Sequence, residues 1–301
     1  MTGWWRRFLA RGVFWRKLLR FAVINAPVPL ESVIIGTWAL VFLLWGPGRR
    51  GVMRNLKAIK PGSSSIINFF RTYRVFWNFA WTITDNGRFL ESRIVPDWEF
   101  AGLEHFHELT TGSGGAIIVT AHMGSYDLGA HLFSETSGRQ IFMVRAPETD
   151  AQTHDFEEQQ KGRGSEGVRI DFNTRSSELA IELLHAVQEG HIVAIQGDRV
   201  TPGISSMPAT LFGRATELPS GPFALAMAAR VPIFPLFIMR RGRRRYRLLT
   251  CKPIHVERRS RNRDEDLQRA MNEWAAELER AIADGWQQWF TFEPAMERPA
   301  A

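Results

Sequence analysis

Short apolar runs that recur between helical segments constrain this chain's fold most tightly. Ala116-Ile117-Ile118-Val119-Thr120 has the pattern of a buried strand, and Gln140 to Val144 and His191 to Gln196 are further strand candidates. Between them, Ser177 to Gln188 repeats at helical spacing and closes at Gly190. Gly221 to Ala229 reads as a helix of small residues with Pro222 in its first turn. Val231 to Met239 and Tyr246 to Thr250 read as a hairpin. Asp264 to Gly285 sets Leu267, Met271, Trp274, Leu278 and Ile282 on one helical face. A helix with an aromatic face is expected over residues 66–84 and a short one over His105 to Leu109, with a turn region from Asp97 to Gly102. Strands alternating with helices imply an α/β fold, a central mainly parallel or mixed sheet flanked by helices. With 301 residues and no internal repeat or long linker, the chain reads as one domain over 49–301. A membrane-associating helical segment, 1–48, precedes it.

That segment is named for its chemistry. Arg6, Arg7, Arg11, Arg16, Lys17 and Arg20 precede the first acid, Glu31. On a helix, Trp4, Phe8, Trp15 and Leu19 fall near one face. Such a helix lies in a headgroup layer, its basic side chains snorkelling toward phosphate; a helix packed on the protein's own body has the same pattern. Ser32 to Gly48 carries no charge but is shorter than the roughly twenty residues of a full span. A tilted anchor, a re-entrant helix and a buried helix all fit it. Arg49 and Arg50 follow directly, as at an end held on the cytoplasmic side. Eleven tryptophans against three tyrosines agree with an interface, where an apolar ring meets a wet layer. A formal charge of +7 favours phosphate- or carboxylate-bearing partners. The arginines from Arg240 to Arg247 surround the tip of the expected hairpin and suit lipid phosphates or an acidic carrier protein. Nucleic acid is not the expected partner, since no binding motif accompanies the charge. Cys251 is the only cysteine, so an intrachain disulfide and a Cys-based zinc cluster are both excluded. The eight histidines form no metal-binding motif.

The chemistry is expected at His122 and Asp127. Ala121 to Asp127 follows the Ala116–Thr120 strand directly, which puts His122 at the C-terminal end of the sheet, where ligands of open α/β sheets gather. If the next residues start a helix, Asp127 can fold back toward the imidazole. A neutral histidine can take a hydroxyl proton while a carboxylate fixes its tautomer. A buried strand-end histidine satisfied by a neighbouring cap would show the same spacing.

The His122–Asp127 pair also resembles the H-x4-D motif of lysophospholipid-type acyltransferases, in the branch of the bacterial lipid A secondary acyltransferases. The resemblance continues through Gln196-Gly197-Asp198-Arg199, Phe212-Gly213-Arg214, Pro219-Ser220-Gly221-Pro222, Val231-Pro232-Ile233-Phe234-Pro235 and Trp286-Gln287-Gln288-Trp289-Phe290. It implies transfer of a fatty acyl group from acyl carrier protein or coenzyme A to a hydroxyl of a lipid A precursor. No other cofactor is implied. Attack is then direct, with His122 as base and Asp127 orienting it. Arg163 and Arg199 become candidates for holding the oxyanion or a phosphate; alternatively Arg199 pairs with Asp198 and Arg163 solvates a loop. Gly213 and Arg214 resemble a segment near acceptor recognition, and a surface turn is the other reading. The implied location is the cytoplasmic face of the cell inner membrane, against an anionic surface. A related glycolipid such as a phosphatidylinositol mannoside is the alternative acceptor, and a noncatalytic membrane-binding protein the alternative class.

Overall fold

Period-two alternation inside buried strands divides the core into two layers. The computed structural model describes residues 26–46, 48–92, 96–145, 167–172, 177–201 and 203–296, together with Leu18 and Phe21. Among the described residues, seven strands form the main sheet, in the order β1 (Asp97–Ala101), β9 (Arg245–Thr250), β8 (Ile233–Gly242), β2 (Ala116–Thr120), β5 (Ile192–Gln196), β3 (Ile141–Arg145) and β4 (Val168–Phe172). From β8 to β4 all neighbours are parallel. β9 turns back antiparallel to β8 and pairs in parallel with β1 at the edge. A separate antiparallel hairpin joins β6 (Ser206–Leu211) to β7 (Arg214–Pro219).

Within β2, Ile117 and Val119 face one core while Ala116 and Ile118 face the other. The first core is closed by α6 (Ser177–Gln188), α7 (Gly221–Ala229) and α8 (Arg263–Gly285). On the other face lie α4 (Leu103–Thr111) and α5 (Tyr126–Ser137), which contribute Phe106, Leu109, Leu128 and Phe133. The long α8 starts where the Asn262 side chain accepts from the Asp264 N–H, and three acids in its first turn complement the helix dipole. Its stripe buries Leu267, Met271, Trp274, Leu278 and Ile282, and Trp274 stacks on Phe237 of β8 at 5.7 Å.

The expected hairpin, the short helix and the three strand candidates form where they were read. The Asp97–Gly102 turn region instead holds β1, whose pattern is mostly exposed because an edge strand buries little. The β6–β7 hairpin and β4 are further strands that the sequence reading does not contain: the hairpin carries polar residues at five of its twelve positions, and β4 alternates Val168, Ile170 and Phe172 with Arg169 and Asp171 over only five residues.

Three helices cover one end. α1 (Val28–Trp45) runs beside α3 (Ser65–Ser92), and α2 (Arg49–Ile59) packs on α3 as well. Trp38, Phe42, Phe76 and Phe79 stack between α1 and α3. Glu31 of α1 is buried and pairs with Arg88 of α3 and, at 3.3 Å, with Arg243 at the β8–β9 tip. No single described helix is long and apolar enough to cross a membrane. The pair Pro29–Trp45 and Arg49–Ile59, bent by 92°, meets that length and composition together. Residues 1–25, apart from Leu18 and Phe21, lie outside the described residues, and so does the basic helix expected there.

Candidate active site

Two parallel strands of matched register build this site. Thr120 of β2 is level with Gln196 of β5, and the Gly197 N–H continues the ladder to the Thr120 carbonyl at 2.8 Å. Two residues further along each chain, His122 and Asp198 therefore meet. The His122 ring Nδ1 lies 2.7 Å from Asp198 Oδ1, and the His122 backbone N–H donates to Asp198 Oδ2 at 3.1 Å. The indole N–H of Trp289 donates to the same Oδ2 at 2.9 Å. A glycine turn holds the histidine: Gly124 has φ +56°, its N–H donates to Gln288 O at 2.9 Å, and the Ser125 N–H donates to Ile238 O at 3.2 Å.

The Asp198 side chain is fully buried. Burial pushes its pKa up. The charge that His122 carries when protonated, the hydrogen bonds from His122 and Trp289 and the Arg199 charge outweigh that and bring it down to about 2. It is a carboxylate at neutral pH. On the far side of the ring, Arg199 Nη2 lies 2.6 Å from His122 Nε2. A guanidinium has only donors, so Nε2 accepts, and Nδ1 carries the proton given to Asp198. This is the neutral tautomer that a general base needs.

The ring opens on an apolar cavity of about 470 Å³, within the range of small-ligand sites. His122 and Arg199 stand at its wall. Val144 and Ile195 line it from the sheet, Leu179 and Leu183 from α6, and Pro222 and Leu225 from α7. Cys251 is apart from this site, and burial together with the Glu277 charge pushes its thiol up to about 12, so it is not a thiolate nucleophile.

The family model for bacterial lipid A biosynthesis acyltransferases matches residues 11–297. The chain belongs to that family. It is an O-acyltransferase of lipid A biosynthesis, with an acyl donor of the carrier-protein or coenzyme A kind and a glycolipid acceptor. No curated protein matches the chain.

Of the expected site residues, the acyltransferase brings His122 and Arg199 together. Asp127 lies in the first turn of α5, and its side chain is outside the described residues, as is Arg163. Gly213, with φ +70°, and Arg214 form the tip of the β6–β7 hairpin and do not line the cavity. At that tip the Phe212 N–H donates to Glu279 of α8. Several arginines of the β8–β9 hairpin are held by acids: Arg240 by Asp85 at 3.1 Å, Arg241 by Asp284 at 3.4 Å and Arg247 by Glu99 at 3.4 Å. Arg240 also covers the Trp81 ring at 4.4 Å.

Sequence reasoning missed Asp198 as the partner of His122. The signal was present: two neighbouring buried strands, each ending two residues before one of the pair. It required the strand order, which sequence separation hides.

Proposed function

We propose that His122 is the general base of the acyl transfer and that a hydroxyl of a lipid A precursor is the acceptor. One observation carries this reading: an imidazole oriented by a buried carboxylate stands with Arg199 at the wall of an apolar cavity. The acceptor hydroxyl displaces Arg199 from Nε2 and gives its proton to that nitrogen as its oxygen attacks the thioester carbon. Asp198 balances the imidazolium that forms. The tetrahedral intermediate then collapses, the C–S bond breaks, and the thiolate takes the proton back from Nε2–H. Arg199, next to the reacting atoms, donates to the oxyanion. The cavity takes the acyl chain.

Asp127, five residues beyond His122 at the start of α5, is the second carboxylate of this reading. Arg163 and the Gly213–Arg214 tip are assigned to phosphates of the acceptor. Residues 1–48 form the membrane-associating segment and 49–301 the catalytic domain. The exposed Leu30, Val33, Leu40 and Trp45 of α1 support a membrane-facing first segment, and Ile66, Ile67 and Phe70 at the start of α3 continue that apolar surface into the catalytic domain. Together with the basic charge they fit an anionic surface on the cytoplasmic face of the cell inner membrane. The donor thioester is carried by acyl carrier protein or coenzyme A.

The test uses detergent-solubilised protein with labelled acyl donors of both kinds and a panel of lipid acceptors, with products identified by mass. His122→Ala abolishes transfer while membrane recovery stays intact. Undiminished transfer by that variant removes the base from the mechanism.

A further inference from the structure

The segment after α8 reaches back across the fold to touch the His122–Asp198 pair. The Phe290 N–H donates to His122 O at 2.7 Å, Met123 and Trp289 form an antiparallel bridge, and the Trp289 indole donates to Asp198 Oδ2. Gln288 locks the same stretch to β8, accepting from the Arg240 N–H at 2.6 Å and donating to Arg240 O at 2.9 Å. Further on, the strap runs under α2. Asn55 of α2 is buried and donates from Nδ2 to Thr291 O at 3.0 Å and to Glu293 O at 2.8 Å. Its Oδ1 accepts from the Ala295 N–H at 3.0 Å. Gly51, one turn earlier, leaves the room: a Cβ there would lie 1.9 Å from Phe292 O.

We propose that Trp289 is a positioning residue for acyl transfer, fixing the Asp198 carboxylate through its indole N–H, and that Asn55 of α2 holds the strap that carries it. The proposal rests on His122 being the base. Asp198 Oδ2 receives two N–H donors, one from the His122 backbone and one from Trp289. With both in place the carboxylate plane is fixed, and Oδ1 is aimed at His122 Nδ1. Without the indole, the buried carboxylate keeps its charge but loses a donor. It then leans more on the imidazole, which raises the affinity of the pair for a proton. Among the described residues, the titratable and charged groups facing Asp198 are the His122 imidazole and the Arg199 guanidinium, and neither replaces an N–H on the side of Oδ2 that Trp289 covers.

The test is steady-state kinetics of the full chain in detergent across pH, comparing Trp289→Phe with the unaltered protein and with His122→Ala. Phenylalanine keeps a ring in the buried slot and removes only the donor. The expected result is a fall in kcat of about tenfold, an unchanged KM for the acyl donor, and an acid limb of the kcat profile moved to higher pH. A loss of folded protein alone lowers the apparent kcat without moving the limb, so an unmoved limb overturns the proposal. Asn55→Leu is expected to move the limb the same way by less, and a limb at its original position in that variant defeats the role of α2. The two readings separate cleanly. If His122→Ala still transfers, the base assignment is at fault; if it is dead while Trp289→Phe matches the unaltered protein, only the positioning role falls.

Discussion

Gly124→Ala is the sharpest test of how the turn behind His122 holds the imidazole that we propose as the base. Gly124 sits at φ +56° with the β8 backbone against it, and a Cβ built there falls 1.7 Å from Ile238 O and 2.8 Å from Ile238 C. Close carbon–oxygen contacts settle near about 3.3 Å, so the turn or β8 must yield by about 1.6 Å. The turn is the softer partner, because β8 is paired to β2 and β9 on its two sides. Yielding breaks the Gly124 N–H to Gln288 O and Ser125 N–H to Ile238 O bonds and carries His122, two residues earlier, away from Asp198. A misplacement of 1 Å at a reacting group costs about a hundredfold in rate. Gly138→Ala is the control: its φ of +63° carries the same left-handed strain, but nothing lies within 4 Å of the added carbon. That variant is expected to lose about 1 kcal/mol of stability and keep its turnover. Gly124→Ala is expected to lose about a hundredfold in kcat per folded molecule. The assay is product formation by mass, normalised to the folded fraction from near-ultraviolet circular dichroism. Full turnover by Gly124→Ala would show that the turn does not set the position of the ring.

Asp198→Asn keeps the shape of the site but lets the imidazole adopt the wrong tautomer, so transfer should fall by about 10³–10⁴-fold; Asp127→Asn measured beside it tells the two carboxylates apart. The same substitution has a signature in stability. Asp198 is held at about 2 against an ordinary 3.8, so the ionised form stabilises the fold above about pH 4 by about 2 kcal/mol. That contribution fades as pH falls toward about 2. Acid titration of unfolding should show the loss in the unaltered protein and a flatter profile in the variant. Ala224→Phe places a ring in the cavity, on α7 about one turn below Gly221. With mixed donors it should cut transfer of long acyl chains more than short ones, and an unchanged product distribution would place the chain elsewhere. Glu31→Ala removes the buried carboxylate shared by Arg88 and Arg243. Denaturant unfolding in detergent should show a loss of about 3 kcal/mol.

The fold class, the position of His122 at the C-terminal end of the sheet and the apolar character of α1 were legible from the sequence alone. These properties are written in local patterns. Short apolar runs place β2 and β5, a stripe at helical spacing places α8, and a histidine two residues past a buried strand emerges at the C-terminal end of the sheet. Seventeen uncharged residues from Ser32 to Gly48 give an apolar helix whatever covers it. β1 and the β6–β7 hairpin were hard to read because their period-two signals are short: Trp98 and Phe100 alternate with acids over five residues of β1, and in β7 the buried face includes the polar Thr216. Which groups meet follows from the folded chain. Asp198 lies 76 residues from His122, and Trp289 lies 91 from Asp198. Their contact depends on strand order, register and the return of the C-terminal strap. The fate of the β8–β9 arginines was decided in the same way. As a run of charge they suit a docking surface, but Asp85 and Glu31 on distant helices fold onto Arg240 and Arg243, because a carboxylate removed from water must bring its counter-charge with it.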